Sequence, residues 1–387
     1  MGSSPTLGTS KEFASDWESP RQAGLVAFLK LPKNLIKIFT PLNLRSKFVR
    51  GGVGSDCILI LGKEILINMK PEFLNILQCP ACKTKLTEQQ NFLTCTNCGN
   101  NFHIVDGIAV LLSQKQISDF FNQESLGKYL SKQYLSERKK FITTSQNFVE
   151  GLKEIIAFVK KDDFQKKYAA ETCNWNDLND DEAERANKST TEILADKAHI
   201  REASKILDWP TGTGCFLRTI IDKVKRDAFI VCLDIDFVEI ASLKEFLKER
   251  GKGENILFVN ADARQMPFDT GVFDAVTAWG GFIEVSESPK AVAESFRVLK
   301  KRGFFAGDGV LYKENSESMK IAEKLGIDSL ANKERIEKCL VDVGFNNIFI
   351  ESVFDGYDKD DITFESDRAP LPAHGDWYSL VIASGQK

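Results

Sequence analysis

The stretch Ile206-Leu207-Asp208-Trp209-Pro210-Thr211-Gly212-Thr213-Gly214 decides the fold of this chain. A short apolar run ends in an acid, and a Gly-x-Gly pair leads from it into the helix-like residues 216–226. Glycines at such a point let the backbone approach a ligand and expose N–H groups at the start of a helix. A Gly-x-Gly pair is weak evidence by itself, so its meaning depends on the pattern around it.

Short apolar runs recur after this stretch, and helical segments separate the first five of them. The runs are residues 205–207, 229–233, 256–259, 275–279, 304–306, 348–354 and 378–383. This alternation predicts an α/β fold with a doubly wound, mainly parallel sheet of seven strands. The last two runs have no helical pattern between them, which predicts an antiparallel closing pair. Asp236 is expected to cap one helix, and Ser288 with Pro289 to open another.

Acids follow the second and third strands. Asp234 stands twenty residues beyond Gly214, where a carboxylate can accept both hydroxyls of a ribose. Asp262 follows the third strand. Because the carboxyl ends of parallel strands share one edge, the loop and both acids are predicted to line one nucleoside-binding crevice. A fold for NAD is the competing interpretation, but Leu217 stands where its third glycine would be.

The order of these motifs is similar to that of class I S-adenosylmethionine-dependent methyltransferases, particularly the ubiquinone/menaquinone-methyltransferase-like group. Besides the loop, the matching text is Leu233-Asp234-Ile235, Asp262 with Met266-Pro267-Phe268, Phe273-Asp274-Ala275-Val276, and Ser295-Phe296-Arg297-Val298-Leu299-Lys300 with Gly303. The resemblance implies S-adenosylmethionine as the cofactor. It places the methionine end at Asp208, Gly212, Thr213 and Gly214, the ribose at Asp234, and the adenine at Asp262 and Ala263.

Two positions depart from that family. Pro210 replaces the first glycine of the loop, which fixes φ and removes one N–H donor. Ile283-Glu284 stands where relatives often have a His pair, and this nominates Glu284 as a candidate base. Aromatic residues fall near the predicted crevice and either line a pocket, face the cofactor's cation or belong to the core. They are Trp209, Phe268, Trp279 and Phe282, of which Trp279 is the candidate cofactor contact.

Four cysteines form two C-x-x-C knuckles separated by twelve residues. They are Cys79, Cys82, Cys95 and Cys98. Two facing knuckles complete a tetrahedron of thiolates that suits Zn²⁺ and leaves no open position, so the predicted site is structural. A redox C-x-x-C would need only one copy. His103 is expected to lie outside the ligand set.

The residues around the knuckles resemble the short zinc-ribbon family that includes the tRNA-methyltransferase activator protein. The resemblance runs from Asn75 to Leu112 and includes Asp106-Gly107-Ile108. His103 and Ala109 stand at two positions where members of that family usually have proline. That family is an adaptor, so the resemblance implies no catalysis by the ribbon.

The composition of the chain excludes several classes of protein. The chain has 387 residues, 43% hydrophobic and 27% charged, with a formal net charge of −4. These values exclude a wholly disordered, collagen-like or small disulfide-stapled protein. Residues 1–68 carry nine basic and five acidic side chains, a net of +4, which leaves −8 for the rest. No segment of the sequence is apolar enough to span a bilayer, and the five scattered cysteines indicate reduced thiols of a cytoplasmic protein.

Four regions are predicted. Residues 1–68 form a basic, partly disordered extension. In it, residues 25–39 contact a membrane surface as a basic amphipathic helix, pack on the body, or belong to an extension without a function. Residues 69–112 form the zinc ribbon and residues 113–193 a helical linker or cap. Residues 194–387 form the S-adenosylmethionine-binding domain.

Three functions compete on this pattern. The first is methyl transfer to a small-molecule or lipid-like acceptor, which the acidic body favours. The second is RNA methylation guided by the zinc ribbon, but Ala278-Trp279-Gly280-Gly281 stands where an Asn-Pro-Pro-Tyr type of sequence would serve base amino groups. The third is a non-catalytic scaffold with the same fold, which Pro210 keeps open.

Overall fold

The computed structural model describes residues 69–112, 116, 148–171, 181–283, 285–357 and 371–387. The predicted extension 1–68, with its amphipathic residues 25–39, lies outside the described residues, as do most of the predicted linker and Glu284. Within the described part of the chain, no helix is long and apolar enough to cross a membrane.

The described residues form eleven strands in a single sheet, in the order β1-β2-β3-β4-β7-β6-β5-β8-β9-β11-β10. Their bounds are Leu86–Gln89 (β1), Phe92–Cys95 (β2), Asn101–Val105 (β3), Ile108–Val110 (β4), Lys205–Asp208 (β5), Phe229–Asp234 (β6), Ile256–Asn260 (β7), Phe273–Ala278 (β8), Leu299–Tyr312 (β9), Asn346–Tyr357 (β10) and Trp377–Gln386 (β11).

Strands β5 to β11 coincide with the seven predicted apolar runs. Strands β5 to β9 pair in parallel, and β11 is antiparallel to both β9 and β10. This confirms the doubly wound fold and the antiparallel closing pair. The sheet has eleven strands rather than the predicted seven because four strands of the ribbon join it. The prediction of a helix between β7 and β8 was wrong, since this short connection holds only the 3-10 turn Ala263–Gln265.

Nine α-helices are described besides the 3-10 turns. They are Pro71–Leu74 (α1), Phe148–Val159 (α2), Asp162–Glu171 (α3), Asp181–Lys197 (α4), Cys215–Ile220 (α5), Phe237–Glu249 (α6), Ser288–Val298 (α7), Glu317–Leu325 (α8) and Lys333–Val343 (α9). The Asp236 carboxylate accepts the Val238 N–H and caps α6, as predicted. At α7 the cap is Glu287 rather than Ser288, which is the first helical residue. Helix α5 ends at Ile220, earlier than the predicted residues 216–226.

Successive side chains of the central strands enter two separate cores, because side chains alternate across a sheet. The first core contains Leu207, Val231 and Val276. It also takes side chains from α7, α9 and the ribbon. The second core contains Ile206, Cys232 and Ala275, and helices α2, α4 and α6 cover it. The predicted boundary at residue 194 falls inside α4, whose Leu194 and Ala195 pack in the second core.

The ribbon continues the sheet beyond β7. Strand β4 pairs in parallel with β7, with Ala109 opposite Val259. The Gln78 N–H also donates to the Pro267 carbonyl at 2.8 Å, and Lys85 forms an ion pair with Asp269. Leu77 and Leu93 of the ribbon are fully buried in the first core. The ribbon and the seven-stranded unit therefore fold around shared apolar contacts.

The described cysteines outside the ribbon differ in oxidation state. Cys232 and Cys339 are free thiols, as predicted, and both are buried. Cys215, the first residue of α5, is disulfide-bonded, which departs from the expectation of reduced thiols throughout.

Candidate functional site

The glycine loop connects the end of β5 to helix α5. Gly214 has φ +73°, and a Cβ there would lie 2.6 Å from Leu243 Cδ2 of helix α6, so the position requires glycine. The Thr211 hydroxyl donates to the Asp208 carbonyl at 2.8 Å. The buried Tyr168 hydroxyl of α3 donates to the Thr213 carbonyl at 2.5 Å. The loop is therefore held by its own residues and by helix α3.

Asp234 ties this loop to the end of β6. One carboxylate oxygen accepts the Gly212 N–H at 2.7 Å and the other accepts the Asp236 N–H at 2.8 Å. The residue is 5% exposed. An ionised carboxylate has about four acceptor positions. Two of them accept these backbone N–H groups, which fix the carboxylate where β6 meets the loop.

Asp208 ends β5 beside this pair. It is 2% exposed, and the Thr277 hydroxyl of β8 donates to its Oδ1 at 2.8 Å. Burial raises the pKa of Asp208 to about 7, and the nearby charges of Asp234 and Asp308 act in the same direction. The structure thus brings Asp208, the loop and Asp234 together at one edge of the sheet.

Asp262 and Ala263 follow β7 at the same edge, but Asp262 is already paired. Arg264 Nε donates to Asp262 Oδ1 at 3.0 Å and Arg264 Nη2 to Oδ2 at 2.8 Å. The guanidinium also donates to the Ser286 hydroxyl at 3.1 Å. Sequence reasoning missed this pairing, although a basic residue two positions after the acid was a visible signal. A ligand at Asp262 must share the carboxylate with Arg264.

Pro210 lies against the turn that follows β8. A Cβ on Gly281 would be 3.0 Å from Pro210 Cδ, so the loop and this turn pack closely only because residue 281 is glycine. Of the four aromatic candidates, Trp209, Phe268 and Phe282 are at most 1% exposed and belong to the first core. Trp279 alone keeps partial exposure and packs on the second core. Trp279 remains the aromatic candidate for a ligand contact.

Asp308 of β9 is an acid at this edge that sequence reasoning missed. Its Oδ1 accepts the Gly280 N–H at 2.6 Å, and burial raises its pKa to about 7. The only local signal is Gly307-Asp308-Gly309, because glycines inside a strand mark a close approach of another segment. Here Phe282 makes the close approach. Its Cγ lies 3.1 Å from the position that a Cβ on Gly307 would take.

The alternation of side chains places these groups on one face of the sheet. Cys232, Ile206, Ala275 and Ala306 all enter the second core. The residue two positions later in each strand shares that face, at the carboxyl edge. These residues are Asp234, Asp208, Thr277 and Asp308, on the adjacent strands β6, β5, β8 and β9.

The four knuckle cysteines converge at the far end of the sheet. Their Sγ atoms all lie within 4.8 Å of one another, with 3.6 Å between Cys79 and Cys98 and 3.4 Å between Cys82 and Cys95. A tetrahedral Zn²⁺ with bonds of about 2.3 Å requires sulfur atoms about 3.8 Å apart. The four thiols therefore fit such an ion. His103 lies outside this set and its ring is 4.7 Å from that of Phe92.

Comparison with known proteins gives two family matches. Residues 206–303 match the model described as a methyltransferase domain, and residues 70–107 match the model of Trm112p-like proteins. Both confirm the resemblances drawn from the motifs.

Several curated relatives are similar to part of the chain. A ubiquinone/menaquinone biosynthesis C-methyltransferase of Idiomarina loihiensis is 32% identical over 108 residues, covering 28% of this chain and 43% of the relative. The enzyme of the same name from Agrobacterium fabrum is 36% identical over 99 residues, covering 26% and 38%. The chain thus spans less than half the length of these relatives. Phosphoethanolamine N-methyltransferase 2 of Haemonchus contortus aligns with a TM-score of 0.43 and 17% identity over 60% of each chain.

Proposed function

We propose that this chain, which carries a class I methyltransferase domain beside a Trm112p-like ribbon, transfers a methyl group from S-adenosylmethionine to a small or lipid-like acceptor. The observation that carries the proposal is the Asp234 carboxylate, which accepts the Gly212 N–H at 2.7 Å where β6 ends. A glycine loop and an acid joined at the carboxyl edge of a parallel sheet are suited to a nucleoside.

The cofactor is assigned by position along this edge. Asp234 is proposed to hold the ribose hydroxyls, and Asp208 with Gly212, Thr213 and Gly214 to border the methionine end. The adenine is proposed to lie at Asp262 and Ala263, where Arg264 fixes the carboxylate by a two-pronged contact. Trp279, partly exposed after β8, is proposed to border the sulfonium cation.

S-adenosylmethionine supplies an electrophilic methyl group when it is bound. The task of the protein is then to align an acceptor with that group, because in-line displacement depends on orientation. Gly281 and Pro210 bring the loop and the turn after β8 into contact, and the border between cofactor and acceptor is proposed to lie there. Glu284, the base suggested by the sequence, remains a prediction.

A small or lipid-like acceptor agrees with the charge distribution. Residues 69–387 carry a net charge of −8, which gives no general attraction for a polyanion. An RNA acceptor would need a local basic surface. The proposed acceptor is therefore a molecule recognised by contacts inside the cleft rather than by long-range charge.

The ribbon is proposed to bind one structural Zn²⁺ through Cys79, Cys82, Cys95 and Cys98. Four thiolates fill a tetrahedral shell, so the ion would have no position open for substrate. Its proposed role is to hold the ribbon strands that extend the sheet from β7.

Titration calorimetry with S-adenosylhomocysteine tests the cofactor site. Wild-type protein should bind this ligand, and Asp234→Ala should weaken binding by about 10- to 100-fold, since hydrogen bonds to a charged group contribute about 1.5 to 3 kcal/mol. Asp222→Ala is the matched control, because Asp222 is an exposed acid paired only with Lys252 among the described residues. Absence of binding to the wild type would favour the non-catalytic scaffold.

A screen with methyl-labelled donor then tests the acceptor class. Label should enter a lipid-soluble fraction or a pool of small aromatic compounds and should not enter RNA. Transfer to RNA with a steep dependence on salt concentration would replace this proposal with the ribbon-guided alternative.

A further inference from the structure

Helix α3 lies between the two parts of the chain that match known families. Those matches cover residues 70–107 and 206–303, whereas α3 spans Asp162–Glu171. Its Tyr168 side chain is 2% exposed, and the hydroxyl donates to the Thr213 carbonyl at 2.5 Å. A helix to which neither family match assigns a role therefore contacts the glycine loop directly.

The hydrogen bond from Tyr168 fixes one end of the peptide group between Thr213 and Gly214. The other end is the Gly214 N–H, which donates to the Thr211 carbonyl at 2.8 Å. A trans peptide group is planar and its C=O and N–H point in opposite directions, so these two bonds together specify one orientation. Glycine adopts φ of either sign, so the backbone at residue 214 does not by itself prevent this peptide group from turning over. The orientation therefore depends on the two hydrogen bonds.

The surroundings of Tyr168 keep its hydroxyl protonated and favour donation to the loop. Burial raises the pKa of Tyr168 well above its ordinary value, so the group remains a donor at neutral pH. The Arg218 guanidinium carbon lies 5.3 Å from the centroid of the tyrosine ring. A guanidinium has donors only, so it cannot accept the hydroxyl hydrogen in place of the Thr213 carbonyl.

Helix α3 is itself held in place by aromatic packing. The ring of Tyr168 meets that of Phe246 on α6 edge-on, with 5.6 Å between the ring centroids. The ring of Phe164, one turn earlier in α3, lies 4.9 Å from that of Phe158 on α2. All four rings belong to the second core or pack against it. The hydroxyl is thus presented to the loop by a helix that this core fixes.

We infer that Tyr168 is a positioning residue of the cofactor site, whose hydroxyl holds the Thr213–Gly214 peptide group in the orientation that binds the methionine end of S-adenosylmethionine. The inference rests on the proposed function, and it extends the proposed site to a helix outside the methyltransferase-domain match. Because Tyr168 is buried, it acts through the loop and not by touching the ligand.

Removal of this hydroxyl should change the orientation of the peptide group rather than the shape of the site. Thr213 is only 2% exposed, and a buried carbonyl without a donor is unfavourable. The peptide group then spends part of its time turned over. When only one orientation binds, the apparent affinity falls with the fraction of molecules in that orientation. With rapid exchange between orientations, the loss is one of association rate, because the complex that forms is unchanged.

The test compares Tyr168→Phe with wild type and with Tyr378→Phe. Both substitutions remove one buried tyrosine hydroxyl and keep the ring, but Tyr378 packs in a separate core with Tyr312 and Met319. The probe is S-adenosylhomocysteine, with calorimetry for affinity and stopped-flow mixing for rates. Tyr168→Phe should bind about 10-fold more weakly, with association slowed by the same factor and dissociation unchanged. Tyr378→Phe should bind as wild type does.

Thermal scans without ligand separate this role from a structural one. Both variants should melt below wild type, whereas only Tyr168→Phe should lose affinity at a temperature where all three proteins are folded. Equal affinity of Tyr168→Phe and wild type would overturn the inference. Equal losses in both variants, or a loss carried by faster dissociation alone, would overturn it as well. Failure of wild type to bind S-adenosylhomocysteine would instead overturn the proposed function, and the inference with it.

Discussion

The two ends of the sheet use polar side chains in opposite ways. At the ribbon, four thiols face one another within 4.8 Å and form a closed set of ligands. At the carboxyl edge of β6, β5, β8 and β9, the acids lie on separate strands, and the hydrogen bonds that fix them come from backbone N–H groups and the Thr277 hydroxyl rather than from one another. A closed set of donors suits a structural ion, whereas an open set suits a ligand that comes and goes.

Among the changes that test this comparison, loss of the metal should have the largest effect on the stability of the protein. Cys79→Ser combined with Cys95→Ser should abolish zinc binding and lower the unfolding free energy by several kcal/mol, since structural Zn²⁺ supplies on the order of 10 kcal/mol in small domains. The ribbon shares the first core with the rest of the chain, so the whole transition should shift. Metal analysis should find about one zinc per wild-type chain, and thermal scans measure the shift. Cys339→Ser, a buried thiol outside the ribbon, is the control, and a stable metal-free wild type would contradict the prediction.

Gly214→Ala should have the next largest effect. Left-handed backbone costs an L-residue about 1 to 2 kcal/mol, and overlap with Leu243 adds about 1 to 3 kcal/mol. Gly251→Ala isolates the overlap, because Gly251 has φ +65° and open space at its Cβ. Chemical denaturation should show a clearly larger loss for Gly214→Ala. Equal losses in the two variants would mean that the close approach to α6 has no energetic weight.

The protonation of Asp208 should have a smaller effect on the stability of the protein. Its raised pKa lets the folded protein keep a proton that the unfolded chain releases near pH 4, so stability falls as pH rises from about 4 to 7. Asp208→Asn should reduce that fall by about 2 kcal/mol. Denaturation at pH 5 and pH 8 measures it, with Asp222→Asn as an exposed control. An unchanged pH slope would show that Asp208 is ionised in the folded protein.

The smallest effect should come from Asp106 in the β3–β4 turn. Its carboxylate pairs with Lys160 and Lys244 at 2.8 Å, and these lysines lower the pKa of Asp106 against the effect of its burial. Asp106→Asn keeps a residue that tolerates φ +51° and should cost about 1 kcal/mol at pH 7. The difference should begin to shrink as pH falls below about 4, where the unfolded chain takes up the proton, and should vanish only below the lowered folded pKa of Asp106. Asp342→Asn, which breaks an exposed pair with Lys338, should change almost nothing.

The sequence predicted what depends on local period and spacing. The seven strands of the larger unit follow from apolar runs, and Asp234 follows from its distance beyond Gly214, because parallel strands share their carboxyl edge. Asp308 was missed because only the order β5-β8-β9 brings it beside Asp208. The pairing of β4 with β7 was missed for a similar reason, since nothing in a short strand specifies which edge it will extend.

The pairing of β4 with β7 also protects the molecule from unwanted association. A parallel sheet that ended at β7 would expose a row of free N–H and C=O groups to any passing strand, which promotes aggregation. Here the covering strand belongs to the same polypeptide, so the edge stays covered at any dilution and needs no second gene product. At the other end, β10 breaks its register twice, which makes it a poor template for an incoming strand.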